Sequence, residues 1–446
     1  MTKDMTAGAP ARHLLEFTIP LIFGNLFQQV YSMADAVIVG RFLGTDSLAA
    51  VGSTGPLTFF IFGFCLGLCS GFAIPVAQSF GAKNQGELRQ YVGNIVWLSL
   101  GFSLVITAIT MCLCRQMLVM MNTPPDILEE SHRYLMVILA GIPTTVAYNT
   151  MACLLRALGD SRTPVVFLLV ASVINVVLDF VFIVFTPLGV MGAAAATVVA
   201  QALSGVACFV FIVKRFPPLH IGRGDLTPQG NLMKRLCGMG IPMGLQSSIT
   251  AIGSILLQAA VNGLGSLAVA SMTAAGKLNQ LFTCFYDSLG IAMSTYGGQN
   301  VGARKIGRLN PGLRSGMLIG GCYAVLALLA GLLFGRSLLC LFVDAGEAQI
   351  IASAYQLLIT NLAFHIPLAA VNVFRLLIQG MGYSRLAIFA GVFELVARGF
   401  TGVFLVPAFG FTAACFASPI AWVLADLFLV PAYFVVRRKL EPLRMD

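Results

Sequence analysis

The sequence predicts an all-α polytopic membrane protein, with twelve transmembrane helices in two parallel six-helix repeats. Three observations support this fold class: the composition, the number of long apolar segments and a repeated spacing of motifs. Of 446 residues, 58% are hydrophobic and only 10% are charged, whereas soluble domains carry about 25% charged residues. This deficit excludes an ordinary soluble enzyme. The net charge of +9 indicates basic loops at a membrane rather than nucleic-acid binding, because no basic-aromatic stretch is present.

Twelve segments are long and apolar enough to cross a bilayer, for which about 20 apolar residues are needed. The predicted spans are Leu14–Val39, Leu48–Phe72, Tyr91–Leu113, Tyr134–Leu155, Pro164–Phe185, Val190–Val213, Leu236–Val261, Leu267–Ser294, Leu313–Phe334, Ile350–Phe374, Leu386–Val406 and Phe411–Val436.

The connections between these spans are short, and the longest is a polar linker over residues 214–235. Its Pro, Gly and charged residues are typical of a solvated connection. The linker predicts an amino-terminal lobe of spans 1–6 over residues 1–213 and a carboxy-terminal lobe of spans 7–12 over residues 236–446. With the amino terminus inside, 20 Lys and Arg residues fall on the inner side and 4 on the outer side. This bias predicts that both termini are cytoplasmic.

The two halves repeat one set of motifs at a nearly constant interval. Ile19-Pro20 opens the first span, and Ile241-Pro242 opens the seventh. QSFGAKNQGEL follows the second span and GQNVGARKIGRL the eighth, whereas LLRALGDSR follows the fourth and LLIQGMGYSR the tenth. Because each half contains an even number of spans, both halves share one orientation, as in transporters with parallel repeats.

Charged and polar residues inside the first half form the strongest candidate site. Asp35 lies near the middle of the first span, where a carboxylate is costly and usually serves a function. Asn175 and Asp179 are four residues apart in the fifth span and therefore share a helix face. Thr197 lies on a sixth span of small residues that permit close helix approach. These oxygen atoms suit a hard cation, and two neighbouring carboxyl groups can instead share a proton. Proton and sodium therefore both remain open.

Other residues within the spans predict supporting roles. Prolines occur at like positions of the two halves and can bend helices. Glu394 and Arg398 are four residues apart, which predicts a buried ion pair in the carboxy-terminal half. Aromatic, Met and Gln residues of the spans could hold a flat cationic compound. The possible hinges are Pro20, Pro143, Pro242 and Pro367, and the substrate-cavity candidates are Gln29, Tyr31, Met33, Phe62, Phe285 and Met293.

Taken together, MADAVIVGRFLGTDSLAAVG, QSFGAKNQGEL, LLRALGDSRTP, INVVLDFVFI, PLGVMGAAAATVVAQ and GQNVGARK resemble the multidrug and toxic compound extrusion (MATE) family, most closely its bacterial DinF-like branch. The resemblance extends over essentially the whole chain. It implies a V-shaped transporter of two lobes that exports cationic or amphipathic drugs across the inner membrane by alternating access. It further implies antiport against protons or sodium, with Asp35, Asn175, Asp179 and Thr197 as the cation site.

One departure from the family separates the two halves. Some members carry acidic residues on the seventh and tenth spans that bind sodium, and neither span has one here, so coupling is expected in the amino-terminal lobe alone. No metal-ligand set, nucleophile motif or phosphate-binding loop is present, so we expect neither an enzyme nor a cofactor other than the coupling ion, H⁺ or Na⁺ at Asp35 and Asp179. A monomer in the lipid bilayer is expected. The alternative is a flippase for lipid-linked precursors from the same superfamily.

Overall fold

The computed structural model describes residues 3–121, 123–344 and 346–445, with Thr45 and Pro218 described by their backbone alone. Within these ranges the regular structure is entirely helical. The described residues form sixteen α-helices, numbered α1 to α16 along the chain, together with short 3₁₀ turns and one π-helical turn. The predicted all-α class is confirmed.

The helices of the first half are α1 Pro10–Leu43, α2 Thr45–Ser53, α3 Gly55–Gly81, α4 Gln85–Met120, α5 Pro125–Ala140, α6 Ile142–Ala157, α7 Arg162–Phe185 and α8 Val190–Arg215. Those of the second half are α9 Gly230–Asn262, α10 Ser266–Gly302, α11 Leu309–Leu339, α12 Ala348–Ala363, α13 His365–Gly380, α14 Ser384–Phe400, α15 Val406–Phe409 and α16 Phe411–Leu440.

Each of the twelve predicted spans lies in one helix or in consecutive helices. Among the described residues, length and composition alone identify eight helical stretches able to cross a membrane, or ten if each of two bent helix pairs counts as one span. The remaining two predicted spans lie in α1 and α10, which contain 34 and 37 residues. Because an α-helix rises by about 1.5 Å per residue, both exceed the thickness of the hydrocarbon layer.

The fourth and tenth spans are broken at like positions. Helices α5 and α6 meet at 46°, and α12 and α13 meet at 51°. Pro143 and Pro367 are expected inside these spans, yet each stands near the start of the second helix of its pair. Proline is tolerated there because the first-turn N–H groups have no partner within the helix. Pro20 and Pro242, in contrast, lie inside α1 and α9.

The described chain divides into two compact units. The first contains Lys3 and Phe23–Gly244, and the second contains Asp4–Ile22 and residues 245–445. The start of α1 therefore belongs to the second unit and the start of α9 to the first. The lobe boundaries predicted from the linker stay a prediction.

Glycines allow very close packing of α3 on the start of α9 within the first unit. A Cβ atom on Gly71 would lie 2.5 Å from the Cα atom of Gly240, and one on Gly67 would lie 2.6 Å from the carbonyl oxygen of Met243. Since both neighbours are backbone, no side-chain rotation can relieve the overlap. Small residues at such crossings are the usual means by which membrane helices come into contact.

We predict that Gly71→Ala lowers the thermal stability of the protein in detergent, because the added methyl group overpacks this crossing at a cost of about 1–3 kcal/mol. Gly101→Ala is the matched control, since a Cβ atom at exposed Gly101 of α4 meets nothing within 4 Å. The control is expected to be neutral or slightly stabilising because alanine favours helix over glycine. The measurement is the midpoint of heat-induced loss of the monodisperse peak in size-exclusion chromatography. Equal midpoints for both variants would contradict the tight crossing.

Candidate functional site: a carboxyl pair in the first unit

The first unit brings Asp35 of α1 and Asp179 of α7 together. The two carboxyl groups lie within hydrogen-bonding reach of each other. Asp179 is fully buried, and the Oδ1 atom of each residue is buried without a hydrogen-bond partner among the described residues. Two ionised carboxylates at this separation would repel strongly in a medium of low dielectric constant. The arrangement is stable only if a proton or another cation is shared between them.

Asn175 and Thr197 lie beside the pair. Asn175 lies one turn before Asp179 on α7 and is 3% exposed. In the amide orientation that satisfies both ends, its nitrogen donates to Asp179 Oδ2 at 3.3 Å and its oxygen accepts from Thr197 Oγ1 at 3.2 Å. The Thr197 hydroxyl also lies 3.2 Å from the Ala193 carbonyl one turn earlier on α8. Asn175 therefore links Asp179 to α8.

Two tyrosines surround the carboxyl pair. Tyr31, one turn before Asp35 on α1, lies close enough to interact electrostatically with Asp35 and Asp179. Tyr134 of α5 interacts with the same two carboxyl groups and packs on a small apolar cluster of Val39, Ile183 and Ala193. Sequence reasoning identifies Tyr31 as a cavity residue but misses Tyr134. The sequence does not indicate that Tyr134 contacts the acids, because it lies on a different helix and far from either acid along the chain.

The pair consists of two carboxyl groups, which can share one proton between them. No group of three or more His, Cys, Asp or Glu residues able to hold a metal ion occurs among the described residues. A shared proton needs only the two carboxyl groups, whereas a hard metal cation needs several further oxygen ligands.

The cavity candidates of the first unit differ in exposure. Met33 is 49% exposed, and Gln29 and Tyr31 lie on the same helix, α1. Phe62 of α3 is partly buried against the main apolar core of the unit. Of these four side chains, Tyr31 is the one that interacts with both acids.

The two cavity candidates of the second unit are engaged in packing. Met293 of α10 is fully buried. Its sulfur packs so closely on Gly316 of α11 that a Cβ atom added to this glycine would lie only 2.8 Å away. Phe285 of α10 stacks on Tyr323 of α11 with ring centroids 3.8 Å apart and planes 8° from parallel. Met293 has no surface with which to reach a ligand in this conformation, and one face of Phe285 is already covered.

Glu394 of the second unit contacts two arginines. Arg398 Nη2 lies 3.6 Å from Glu394 Oε2, and Arg375 Nη1 of α13 lies 3.1 Å from Glu394 Oε1. Asp426 of α16 interacts electrostatically with Arg375 and Glu394, and its Oδ1 atom is buried without a partner among the described residues. The predicted pair is therefore part of a larger charged network, which the spacing of four residues could not indicate.

Comparisons with known proteins agree with this architecture. The MatE family model matches the chain twice, over residues 20–181 and 242–404. The two matches begin at Pro20 and Pro242, the two prolines that open corresponding spans of the two halves, so the internal repeat is confirmed.

Similar proteins have been described in bacteria. Probable multidrug resistance protein YoeA of Bacillus subtilis is 30% identical over 363 residues, 79% of this chain and 78% of that protein. DNA damage-inducible protein F of Escherichia coli is 25% identical over 395 residues, 87% of this chain and 84% of that protein. A solved structure described as the outward-facing conformation of a multidrug resistance MATE family transporter has a TM-score of 0.91 at 23% identity, covering 100% of both chains.

The family model covers most of the chain in two copies, and the relatives and the fold agree with it. This chain belongs to the MATE family of multidrug efflux transporters in the membrane.

Proposed function

We propose that this protein is a proton-coupled antiporter that exports cationic or amphipathic drugs across the inner membrane by alternating access. The single observation that carries the proposal is the contact between Asp35 and Asp179, with one buried, unpartnered oxygen on each among the described residues. We further propose that both termini are cytoplasmic and that the monomer is the working unit, as the bias of Lys and Arg and the internal repeat suggest.

Proton coupling is favoured over sodium coupling by the hydrogen bonds of the polar neighbours. A sodium ion would need oxygen ligands in addition to the carboxyl pair. Asn175 turns its NH₂ group toward Asp179 and its oxygen toward Thr197, and the Thr197 hydroxyl lies within reach of the Ala193 carbonyl. In this orientation the Asn175 oxygen points away from the carboxyl pair and would have to turn before it could bind an ion, whereas a shared proton needs only the two carboxyl groups.

In the proposed cycle the drug and the proton compete for the carboxyl pair. A drug carrying a positive charge is attracted when the pair is ionised and is released when protonation neutralises the pair. Exchange requires only that each species binds one conformation more tightly than the other. Of the cavity candidates, Gln29, Tyr31 and Met33 lie on the same helix as Asp35, so a change in α1 would move the acid and these side chains together.

We predict that Asp35→Asn and Asp179→Asn each reduce proton-driven ethidium transport at least about tenfold, because either change removes a carboxyl group that takes up the proton. The measurement is ethidium counterflow in proteoliposomes with pH and sodium gradients imposed separately. Asp126→Asn, an exposed acid in the first turn of α5, is the matched control and is expected to transport normally. Transport driven by sodium alone would contradict proton coupling, and normal transport by both pair variants would refute the site.

Asn175→Ala should impair transport without a matching loss of stability, because it removes the amide that orients Asp179. We expect a severalfold loss of proton-driven ethidium transport. Asn149→Ala on α6 is the control, since Asn149 Nδ2 donates to the Thr145 carbonyl of its own helix at 2.9 Å. Both variants would be compared by transport and by thermal midpoint. If both lose transport equally, Asn175 has no special role at the carboxyl pair.

Pro20→Ala is expected to slow transport severalfold while leaving thermal stability unchanged or raised. Proline inside a helix removes a backbone hydrogen bond, and alanine restores it, which would stiffen α1 if bending near Pro20 is part of the cycle. Pro431→Ala in α16 makes the same backbone change in a helix without cavity candidates. The measurement is the transport rate of each variant in proteoliposomes at saturating ethidium. An unaltered rate for Pro20→Ala would show that transport does not depend on bending near Pro20.

A further inference from the structure

Helix α10 presents a polar face that the candidate cation site does not use. Thr273, Lys277, Gln280 and Asp287 are all exposed, and they follow one another at intervals of four, three and seven residues. Such intervals keep side chains on one side of an α-helix. The opposite side of α10 is buried, including Ala274, Leu278, Tyr286 and Leu289.

The exposed side of α10 is unlike a surface that faces lipid. No large hydrophobic residue is exposed anywhere in residues 268–317, all of which the structure describes. On the next helix, α11, the exposed residues include Leu318 at 69%, Leu326 at 63% and Leu333 at 73%, which is the pattern expected against acyl chains. Because charged side chains at membrane depth avoid lipid, the polar face of α10 must border water.

The corresponding helix of the first half lacks this polar face, so the fold itself does not require it. When the repeats are aligned so that Gly81 matches Gly302, Gln280 corresponds to Phe59 and Asp287 to Leu66. Phe59 is 61% exposed and Leu66 is 46% exposed. Polarity at Gln280 and Asp287 is therefore a feature of the second repeat alone.

No salt bridge holds Asp287 among the described residues. It forms none of the ion pairs found between described residues, although it interacts electrostatically with Arg375. Arg375 is itself held by Glu394 at 3.1 Å and by Asn372 Oδ1 at 3.2 Å. Lys277 lies ten residues, or about 15 Å, from Asp287 along α10, beyond the screening length of physiological salt.

We propose that the polar face of α10 is a second substrate-binding surface, on which Asp287 is the counter-charge for the positively charged group of an organic cation. Arg375 is held by Glu394 and Asn372 and acts on Asp287 without forming an ion pair with it, so an incoming cation can pair with this carboxyl group directly. Gln280, two turns earlier on the same face, offers a hydrogen-bonding side chain to the bound compound. This inference rests on the proposed export of cationic drugs and adds a specificity residue distinct from the carboxyl pair.

The test is equilibrium binding of ethidium, a cation, and of phenanthridine, its uncharged ring system, to the purified full-length protein in detergent. Asp287→Asn is expected to weaken ethidium binding about fivefold, the size of one solvated charge pair, and to leave phenanthridine binding unchanged. Asp287→Glu should restore most of the ethidium affinity. Asp344→Asn, an exposed acid between α11 and α12 of the same unit, is the control and should match wild type.

Three results would overturn the inference: wild-type ethidium affinity in Asp287→Asn, equal weakening of ethidium and phenanthridine, or no ethidium binding by the wild-type protein. A thermal midpoint measured for each variant separates loss of charge from loss of fold. Failure of the proposed function has a different signature, since it appears as wild-type proteoliposomes that move no ethidium under a pH gradient. The binding measurement needs no gradient and is decided independently.

Discussion

The cost of placing negative charge inside a bilayer controls the chemistry of this protein. An ionised carboxylate at membrane depth is destabilising by several kcal/mol, yet α1 and α7 bring two carboxyl groups into contact. The contact is tolerable only when a positive species is bound. Occupancy by that species and the conformation of the first unit are therefore thermodynamically linked, and linkage of this kind is the physical requirement for exchange transport.

The neighbours of the pair hold one of its two carboxyl groups. Asn175 uses both ends of its amide, one on Asp179 and the other on Thr197. This arrangement fixes one carboxyl group against α8 while Asp35 is carried by another helix. In the proposed cycle, a change in α1 would alter the separation of the acids without disturbing the packing of α7 on α8.

Much of the fold and part of the site could be predicted from the sequence, and the reasons differ between elements. The twelve spans follow from hydropathy, and the placement of Asn175 beside Asp179 follows from helical periodicity. Tyr134 and Arg375 could not be found in this way, because each meets its partners through the packing of separate helices. Met293 illustrates the opposite case: its residue type suits a cavity, and only the structure shows that it is fully buried in this conformation.

The exchange of segments between the two compact units has a consequence for how the chain is made. Residues 4–22 are synthesised before residue 245, but their unit is otherwise built from residue 245 onward. The Met5 amide donates to Gln299 Oε1 at 2.9 Å, and Asn300 Nδ2 donates to the Met5 carbonyl. The opening segment must therefore wait for these partners until the eighth predicted span has been synthesised. More than 200 residues of the first unit are thus synthesised between this segment and the partners that it contacts in the folded protein.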